Sequence, residues 1–334
     1  MTRTREASLD PVSHQGALRV AYLGPPGTFT EQALVEHLGL VESPASEISP
    51  FGSVEEVVEV TAAGSFDIGF VPIENSIEGT VNATLDSLVF DCDLLIQREV
   101  IMDVHLDLMA VPGTDLTDIE RVLSFPHASA QCRNFLSRRL TQAEVLATNS
   151  TAEAARVVGT NRLARTAALA PTLSASLYGL EVIASSVEDH PDNQTRFFAL
   201  ARAGIPPVTG HDKTSIVCFQ SSDKPGSLHS ILGQFAARGI NLTKLESRPT
   251  KRSLGAYCFI VDMEGHLADE VVADCLRDLH AMLARVKFLG SYPAAGEKST
   301  IRRREAVQAW QAADEWVATL RGQIRNGVDI RRRP

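Results

Sequence analysis

The sequence predicts an α/β protein in which a large α/β unit precedes a smaller ferredoxin-like domain. From residue 18 onward, short aliphatic runs alternate with amphipathic helical patterns, which is typical of helices layered on a sheet. Residues 201–212 then carry two prolines and two glycines without apolar periodicity, and we interpret them as a linker. Beyond this linker the predicted order is strand, helix, strand, strand, helix, strand. This βαββαβ order indicates a ferredoxin-like domain.

Nine short β-branched or aliphatic strands are predicted in the first unit. They are Arg19 to Leu23, Ile68 to Ile73, Leu94 to Val100, Leu106 to Val111, Arg121 to Ser124, Val145 to Thr148, Thr166 to Leu169, Val182 to Ala184 and Arg196 to Leu200. Helices are expected between most of them. Ser53 with Glu56, and Ser150 with Glu153, have the spacing of capping boxes that open two of these helices.

The second unit is predicted to contain two helices on one face of a four-stranded sheet. The strands are Ser215 to Phe219, Asn241 to Glu246, Ala256 to Asp262 and Val286 to Leu289, and the helices are Pro225 to Arg238 and Ala268 to Ala284. In the first helix Leu228, Ile231, Leu232 and Phe235 recur at the spacing of one helical face. The opposite sheet face and the sheet edge are therefore expected to be available for pairing with a second copy.

The two termini are predicted to lie outside these units. Residues 1–17 are expected to be disordered, and residues 293–334 to form a basic, partly helical tail. From Glu297 onward the tail has nine Lys or Arg against five Asp or Glu, a net charge of +4. One helical face would collect Val307, Trp310, Trp316, Val317 and Leu320, so docking on the acidic body or on a partner subunit is favoured over phosphate binding.

Composition excludes several classes of function. The chain has 334 residues, 44% of them hydrophobic and 22% charged, as in folded cytosolic proteins. Its net charge of -9 gives no general affinity for nucleic acid. Residues 1–15 have no apolar core and no run of about 18 apolar residues occurs, so neither a signal peptide nor a membrane anchor is predicted. Five widely spaced cysteines without a Cys-x-x-Cys pair indicate thiols in a reducing cytoplasm. We expect no metal and no cofactor.

Polar side chains cluster where the predicted strands end. The loop from Gly24 to Thr30 follows the first strand and opens a helix, so its backbone N–H groups and the Thr28 hydroxyl could receive an anion. The alternative is an ordinary βα turn in which Thr28 or Thr30 caps the helix. The segment from Val71 to Thr80 likewise packs five polar side chains into a strand exit, more than helix capping requires.

Two further polar segments complete the set. Ser124 leads through His127 into a helix that contains Gln131. We expect His127 to face water at the helix start, because the sequence offers no carboxylate to orient it. The run from Asp192 to Phe197 enters the last strand of the unit. With no activated nucleophile and no metal cluster, such a site would act through hydrogen bonds on a substrate that supplies its own driving force.

In order and spacing, these motifs resemble the prephenate dehydratase family. The resemblance rests on Gly24 to Phe29, Pro72 to Ser76, Ser124 to Gln131, Ser150-Thr151 and Thr195-Arg196-Phe197, and it extends over residues 18–292. It implies a catalytic domain over residues 18–200 with two lobes of the periplasmic-binding-protein type, the chain crossing near residues 100 and 190. It also implies an ACT regulatory domain over residues 213–292.

The resemblance implies decarboxylative dehydration of prephenate to phenylpyruvate, a hydro-lyase reaction in phenylalanine biosynthesis. It assigns catalytic roles to Asn75, Ser124, Gln131 and Thr195. We interpret Thr195 as the donor to the departing hydroxyl, although its hydroxyl is a weak acid for full proton transfer. The residues expected to contact substrate are Thr28, Ser76, Ser150, Thr151, Arg196 and Phe197. Arg196 is either a carboxylate clamp or a structural ion pair, and the two readings are evenly matched.

The resemblance of the second unit implies feedback regulation by L-phenylalanine at an interface between copies. It rests on Gly226-Ser227-Leu228 and on Glu246-Ser247-Arg248-Pro249, with Gly226 permitting close backbone approach and Glu246 near the ligand's ammonium group. The family usually has alanine where this chain has Ser227, which leaves the sign and strength of the effect open. We expect prephenate as the substrate and a homodimer or homotetramer as the assembly. The alternatives for the function are an arogenate dehydratase and a non-catalytic amino-acid sensor.

Overall fold

A computed structural model gives the fold, and it describes residues 18–37, 46–220, 224–251, 255–296, 312–313 and 315–323. The chain divides into two compact units, Met1–Ile205 and Pro206–Pro334. The division lies inside the segment interpreted as a linker, and residues 202–211 are neither helical nor extended in the sheets.

The first lobe of unit 1 is built on a six-stranded mixed sheet. Its strands are β1 (Arg19–Leu23), β2 (Glu47–Phe51), β3 (Ile68–Asn75), β4 (Gly79–Thr80), β5 (Leu95–Asp103) and β11 (Gln194–Ala201). Its helices are α1 (Phe29–His37), α2 (Val54–Ala62) and α3 (Asn82–Asp86), the last followed by a π-helical turn over Ser87–Asp91. The strand order is β2-β1-β3-β11-β5, with β4 paired to β3. Strands β1, β2 and β3 are parallel, whereas β11 runs antiparallel to both β3 and β5.

The second lobe has a five-stranded sheet with helices packed against it. Its strands are β6 (Asp107–Ala110), β7 (Arg121–Ser124), β8 (Glu144–Ala147), β9 (Thr166–Ala170) and β10 (Glu181–Ala184), in the order β10-β6-β9-β7-β8. Its helices are α4 (Pro126–Gln131), α5 (Arg133–Arg139), α6 (Thr151–Asn161) and α7 (Thr172–Tyr178), with a 3-10 turn over Leu116–Asp118. The α/β fold class and the bilobal arrangement are as predicted.

Two short segments connect the lobes. Residues 104–106 lead from β5 to β6, and residues 185–193 return from β10 to β11. Backbone hydrogen bonds join the two connecting segments. Val104 N–H donates to the Asn193 carbonyl (2.7 Å), and Val187 N–H donates to the Leu106 carbonyl (2.8 Å). The buried Glu188 carboxylate adds contacts to Leu106 N–H (2.9 Å) and to His105 Nδ1 (2.8 Å). These contacts tie the two connections into one hinge.

Strand β2 was absent from the predicted elements. Its sequence contains Pro50, which lacks a backbone donor and argues against a central strand. The structure places β2 at the edge of the sheet, paired in parallel only with β1, so the missing donor is tolerated there. The capping boxes do form: Ser53 Oγ accepts from Glu56 N–H (3.2 Å), and Ser150 Oγ accepts from Glu153 N–H (3.0 Å).

Each lobe has its own apolar core. In the first lobe the buried rings of Tyr22, Phe70 and Phe197 pack with Val100 and neighbouring aliphatic side chains. The Phe70 and Phe197 rings are stacked, with centroids 5.4 Å apart. Phe29, in the first turn of α1, packs against both the first-lobe core and the core of the second lobe. Apolar contact therefore joins the lobes at the start of α1.

Unit 2 has the predicted ferredoxin-like order. Its elements are β12 (Asp212–Phe219), α8 (Ser227–Ala236), β13 (Leu242–Pro249), β14 (Tyr257–Glu264), α9 (Glu270–Met282) and β15 (Arg285–Pro293). The antiparallel sheet has the order β13-β14-β12-β15. Ile231 and Phe235 of α8 and Val272 and Leu279 of α9 are buried against one sheet face, as the helical spacing predicts.

The expectation that the other face of this sheet is available for pairing is wrong. Because side chains alternate along a strand, Val217, Cys258, Ile260 and Leu289 lie on the face opposite the helices, and all four are at most 2% exposed. Lys287 on the same face is 7% exposed. The edge strand β13 is different: Leu245 on it is 45% exposed.

The predicted tail falls mostly outside the described residues, and so do residues 1–17. Residues 315–322 are helical, and Trp316 on this segment is 64% exposed. Val307 and Trp310 lie outside the described residues. None of the five cysteines forms a disulfide. Among the helices that the structure describes, none is long and apolar enough to cross a membrane.

The hinge contact between His105 and Glu188 predicts a pH-dependent stability. The hydrogen bond to Glu188 raises the pKa of His105 above its ordinary value, burial opposes this, and Asp103 and Asp107 add to the increase. A raised folded-state pKa stabilises the protein fully below the unfolded pKa of about 6.5, and this stabilisation is lost as pH rises through the folded pKa. Relative to His105→Asn, the wild type should gain melting temperature when pH is lowered from about 8.5 to about 5.5. A difference between the two melting temperatures that does not change with pH would contradict the assignment.

Candidate active site

The site begins with the antiparallel pairing of β3 and β11. Thr195 near the start of β11 lies directly opposite Asn75 at the end of β3, although 120 residues separate them. Asn75 Nδ2 donates to Thr195 Oγ1 at 2.9 Å. Two of the four predicted catalytic residues therefore meet because a strand entering the sheet pairs with a strand leaving it.

The Asn75 side chain is held on both sides. Its Oδ1 accepts from the backbone N–H groups of Ile77 (2.9 Å) and Glu78 (3.0 Å), an Asx turn that closes the β3–β4 connection. Its Nδ2 faces three acceptors: Asn193 Oδ1 (2.9 Å), the Gln194 carbonyl (3.1 Å) and Thr195 Oγ1. The orientation of this amide is thus determined by backbone groups.

Thr195 accepts a hydrogen bond and has its own proton to give. Among the described residues, no acceptor lies within hydrogen-bond distance of its hydroxyl in a donating geometry. The Asn75 N–H stabilises negative charge on Thr195 Oγ1, which makes the threonine a better donor than an isolated hydroxyl. The role of Thr195 as donor to a departing hydroxyl stays a prediction.

Gln131, on α4 of the second lobe, reaches the same network. Its Oε1 accepts from Asn193 Nδ2 (3.0 Å), and its Nε2 lies 3.4 Å from Glu78 Oε1. Ser76 also joins: its Oγ donates to Asn193 Oδ1 (3.2 Å) and accepts from Gln194 N–H (3.0 Å). The structure therefore brings Asn75, Ser76, Gln131 and Thr195 together across the two lobes.

His127 lies exposed in the first turn of α4, as expected, but it also has a carboxylate partner that the sequence did not indicate. His127 Nδ1 lies 2.9 Å from Glu78 Oε2, so one first-lobe carboxylate contacts both His127 and Gln131 of α4. The His127 and Phe125 rings are stacked, with centroids 5.3 Å apart. Sequence could not show this pair, since Glu78 is distant along the chain and belongs to the other lobe.

Ser124 ends β7 and is buried, only 1% exposed. Its Oγ has no hydrogen-bond partner among the described residues. Thr148 N–H donates to the Ser124 carbonyl (2.9 Å), which places the end of β7 beside the loop leading into α6. At that loop Ser150 is the N-cap of α6, with its Oγ bonded to Glu153 N–H, and the neighbouring Thr151 is buried. Ser150 is thus primarily a helix cap.

The loop before α1 contacts the second lobe. The Gly27 carbonyl accepts from Ser174 Oγ (2.7 Å), and the Pro26 carbonyl accepts from the Tyr178 hydroxyl (2.7 Å). Gly27 has φ +88°, and a Cβ there would lie 2.7 Å from Ser174 Oγ, so only glycine fits this close approach.

The anion position predicted at this loop already holds a carboxylate of the chain. Gly27 N–H donates to Glu31 Oε2 at 2.5 Å. Thr28 takes the N-cap position of α1, with Glu31 N–H 3.5 Å from its Oγ1, which is the capping alternative considered for it. Burial, together with Glu31, raises the pKa of the Tyr22 hydroxyl well above its ordinary value. Thr28 therefore stabilises the start of a helix, and its contact with substrate stays a prediction.

Two predicted substrate contacts are placed elsewhere. Arg196 is 10% exposed, its Nε donates to the fully buried Glu99 carboxylate, and its Nη1 lies 3.6 Å from Glu74 Oε2. Its guanidinium also lies over the Phe198 ring, 4.8 Å from the centroid. Phe197 is 1% exposed and stacked in the first-lobe core. Side-chain alternation along β11 explains both positions, because Thr195 and Phe197 share one face and Arg196 lies on the other. For Arg196, the ion-pair alternative is the one that the structure supports.

Asn193 was not among the predicted site residues. It is 2% exposed, yet its side chain contacts Asn75, Ser76 and Gln131. The sequence did contain an indication of its role, because Asn193 is an amide residue two positions before Thr195 in the same polar run. Among the described residues, no group of three His, Cys, Asp or Glu side chains could hold a metal ion.

The seven residues predicted to bind phenylalanine lie on two elements of unit 2. Gly226, with φ +85°, is the N-cap of α8, and Ser227 and Leu228 form its first turn. The Ser227 hydroxyl donates to the Lys224 carbonyl (2.7 Å) and accepts from Lys224 N–H (3.1 Å). Glu246, Ser247, Arg248 and Pro249 end the edge strand β13, and Glu246 Oε2 lies 3.4 Å from Lys244 Nζ.

The fold and the site define a two-lobed α/β unit whose lobes meet at a network of hydrogen-bonding side chains, followed along the chain by a ferredoxin-like domain. The sequence profile of the prephenate dehydratase family matches residues 20–204, and that of the ACT domain matches residues 214–281. The chain belongs to the prephenate dehydratase family and carries an ACT domain.

Two similar proteins are themselves prephenate dehydratases, and a third has a different description. A prephenate dehydratase of Mycolicibacterium vanbaalenii is 42% identical over 285 residues, which cover 82% of this chain and 90% of that protein. The structure of a prephenate dehydratase from Arthrobacter aurescens in complex with L-Phe is 38% identical, with a TM-score of 0.80, and covers 91% of this chain and 99% of that chain. A protein described as GqqA, a novel type of quorum quenching acylase, is 29% identical with a TM-score of 0.73 over 83% of this chain and 98% of that chain.

Removing Arg196 should reveal its structural role. Arg196→Gln leaves the buried Glu99 carboxylate without its main cation, and we expect a loss of about 3–5 kcal/mol in the free energy of unfolding. Adding Glu99→Gln should recover part of this loss, because the uncompensated charge is then removed. Urea unfolding of the single and double variants measures both effects. A stable Arg196→Gln variant that loses only substrate affinity would instead support a substrate clamp.

Proposed function

We propose that this protein converts prephenate to phenylpyruvate, with loss of carbon dioxide and water. The observation that carries the proposal is the pairing of Thr195 with Asn75, in which the threonine accepts one hydrogen bond and has a proton to donate. The proposal is supported by family membership, and by a site made of hydroxyls and amides that spans the cleft. Because one fold can host several activities, as the acylase relative illustrates, the residues of the site carry more weight than the fold.

The chemistry requires little from the protein beyond orientation and one donor. Prephenate carries a ring hydroxyl and a carboxylate on the opposite ring carbon, and their departure makes the ring aromatic. Thr195 donates a hydrogen bond to the departing hydroxyl, which takes a proton from solvent and leaves as water, and the Asn75 N–H strengthens this donor by bonding to Thr195 Oγ1. The Gln131 N–H groups project from the other lobe and orient the substrate between the lobes.

Binding of the carboxylates is assigned to neutral donors. Arg196 is bound to Glu99 and Glu74, so the guanidinium is not the principal clamp. Ser124 offers a buried hydroxyl without a partner among the described residues, and the adjacent N-terminus of α6 at Ser150 and Thr151 contributes a favourable dipole. Ser76 lies beside Asn75 and holds Gln194 N–H in place.

We further propose that L-phenylalanine regulates the enzyme through the ACT domain, in a homodimer or homotetramer in the cytoplasm. The related Arthrobacter structure contains L-Phe, which supports this ligand. Gly226 lies at the start of α8 with no atom near the position of a Cβ, so a ligand could approach its backbone closely. Strand β13 is an edge strand with the exposed Leu245, which is where a second copy could pair.

Thr195 variants test the reaction. Thr195→Val removes the hydroxyl at nearly constant shape, and we expect kcat to fall by about 10²- to 10⁴-fold. Thr195→Ser keeps the donor and should retain most of the activity. Phenylpyruvate formation from prephenate, with arogenate as the comparison substrate, measures both variants. Turnover by Thr195→Val at the wild-type rate would refute the assigned role.

Variants of Glu246 and Ser227 test the proposed regulation by phenylalanine, with the second serving as the control for the first. If Glu246 contacts the ligand's ammonium group, Glu246→Gln should weaken phenylalanine binding by about 10- to 100-fold, the value of a charged hydrogen bond. Ser227→Ala should change binding by less than about threefold, because the hydroxyl is already bonded to the Lys224 backbone. Calorimetric titration with L-phenylalanine provides both numbers. Unchanged affinity in Glu246→Gln would place the ligand elsewhere.

A further inference from the structure

Asn193 occupies an unusual position for a polar side chain. It lies in the return connection between the lobes, is 2% exposed, and makes side-chain hydrogen bonds to residues of both lobes. Its backbone is held as well, since its carbonyl accepts from Val104 N–H of the first connection and its N–H donates to the His190 carbonyl (3.2 Å). A buried asparagine with this many partners fixes the groups around it.

In the chain of hydrogen bonds through Asn193, each side-chain amide can be oriented in only one way, with its donor and acceptor fixed by its neighbour. The N–H groups of Ile77 and Glu78 can only donate, so they require Oδ1 of Asn75 to face them. Nδ2 of Asn75 must then face Asn193, which presents its own Oδ1 in return. Asn193 consequently points Nδ2 at Gln131, whose Oε1 accepts and whose Nε2 is left facing Glu78 and the cleft.

We propose that Asn193 is a positioning residue that transmits this direction across the cleft, so that Gln131 presents N–H donors rather than a carbonyl to the substrate. The inference deepens the proposed function and rests on it for the catalytic readout. Asn193 does not contact the reacting atoms in this scheme. It acts through Gln131 in the second lobe and through Asn75 in the first.

Asn193→Asp is the direct test, because aspartate has the same shape but no N–H donor. The variant keeps an acceptor for Asn75 and Ser76, and it cannot donate to Gln131. Gln131 should then invert its amide, so that Nε2 donates to the new carboxylate and Oε1 turns toward Glu78 and the substrate. We expect kcat to fall by about 100-fold, as for a misplaced catalytic group, with a smaller change in KM.

A control and a second variant separate positioning from stability. Thr84→Val removes another buried hydrogen bond of the first lobe, from Thr84 Oγ1 to the Pro72 carbonyl (2.6 Å), at a residue outside the site. It should lower the melting temperature without lowering kcat. Should Asn193→Asp not fold, Asn193→Ser is the second variant: it is too short to reach Gln131 and should show the same loss of kcat. Equal losses of kcat in Thr84→Val and the Asn193 variants would overturn the proposal.

A second readout does not depend on turnover. The side-chain amide resonances of Asn75 and Gln131 can be assigned by their loss in Asn75→Asp and Gln131→Glu. In Asn193→Asp the Gln131 amide resonances should shift strongly, because the group that faces Asn193 changes from Oε1 to Nε2. Unshifted Gln131 resonances would overturn the proposal. If wild-type protein fails to convert prephenate while these shifts occur, the proposed function fails and the role of Asn193 in orienting Gln131 stands.

Discussion

The antiparallel pairing of β3 with β11 is the constraint on which the site depends. The chain leaves the first lobe after β5, builds the whole second lobe, and returns to insert β11 between β3 and β5. This insertion places Thr195 opposite Asn75 and sets the two lobe connections side by side. The site and the hinge are thus consequences of one strand pairing, and a shift of one residue in its register would turn Thr195 to the other face of the sheet.

Local patterns were enough to predict most of the fold. Strands β1 and β7 have the predicted bounds, and the capping boxes at Ser53 and Ser150 form as expected. The edge strand β2 was not predictable, since Pro50 is a local argument against a strand and only the sheet order shows why it is tolerated. The buried outer face of the ACT sheet was equally hidden, because strand periodicity shows which residues share a face and not what covers it.

The candidate site was predictable in its residues more than in their roles. Asn75, Gln131 and Thr195 do converge, but sequence spacing could not distinguish Arg196 as a clamp from Arg196 as an ion pair. That distinction depends on Glu99, which lies on the neighbouring strand β5 and on the same face of the sheet as Arg196. The two residues are 97 positions apart in the sequence. Asn193 was overlooked for a related reason: its importance comes from burial and from three partners, and neither is visible in a linear motif.

Electrostatics explains why amides and hydroxyls, rather than charged side chains, are the available groups of the candidate site. The cationic Arg196 is bound to Glu99 and Glu74, and the loop N–H at Gly27 is bound to Glu31, so the strongest local charges are already paired within the first lobe. Glu78 is paired with His127 and Gln131 across the cleft. Neutral donors remain, and a neutral donor has a definite direction only if its neighbours impose one. In this site the backbone N–H groups of the turn after Asn75 fix the orientation of the Asn75 amide. The Asn75 amide fixes that of Asn193, and Asn193 in turn fixes that of Gln131 in the opposite lobe.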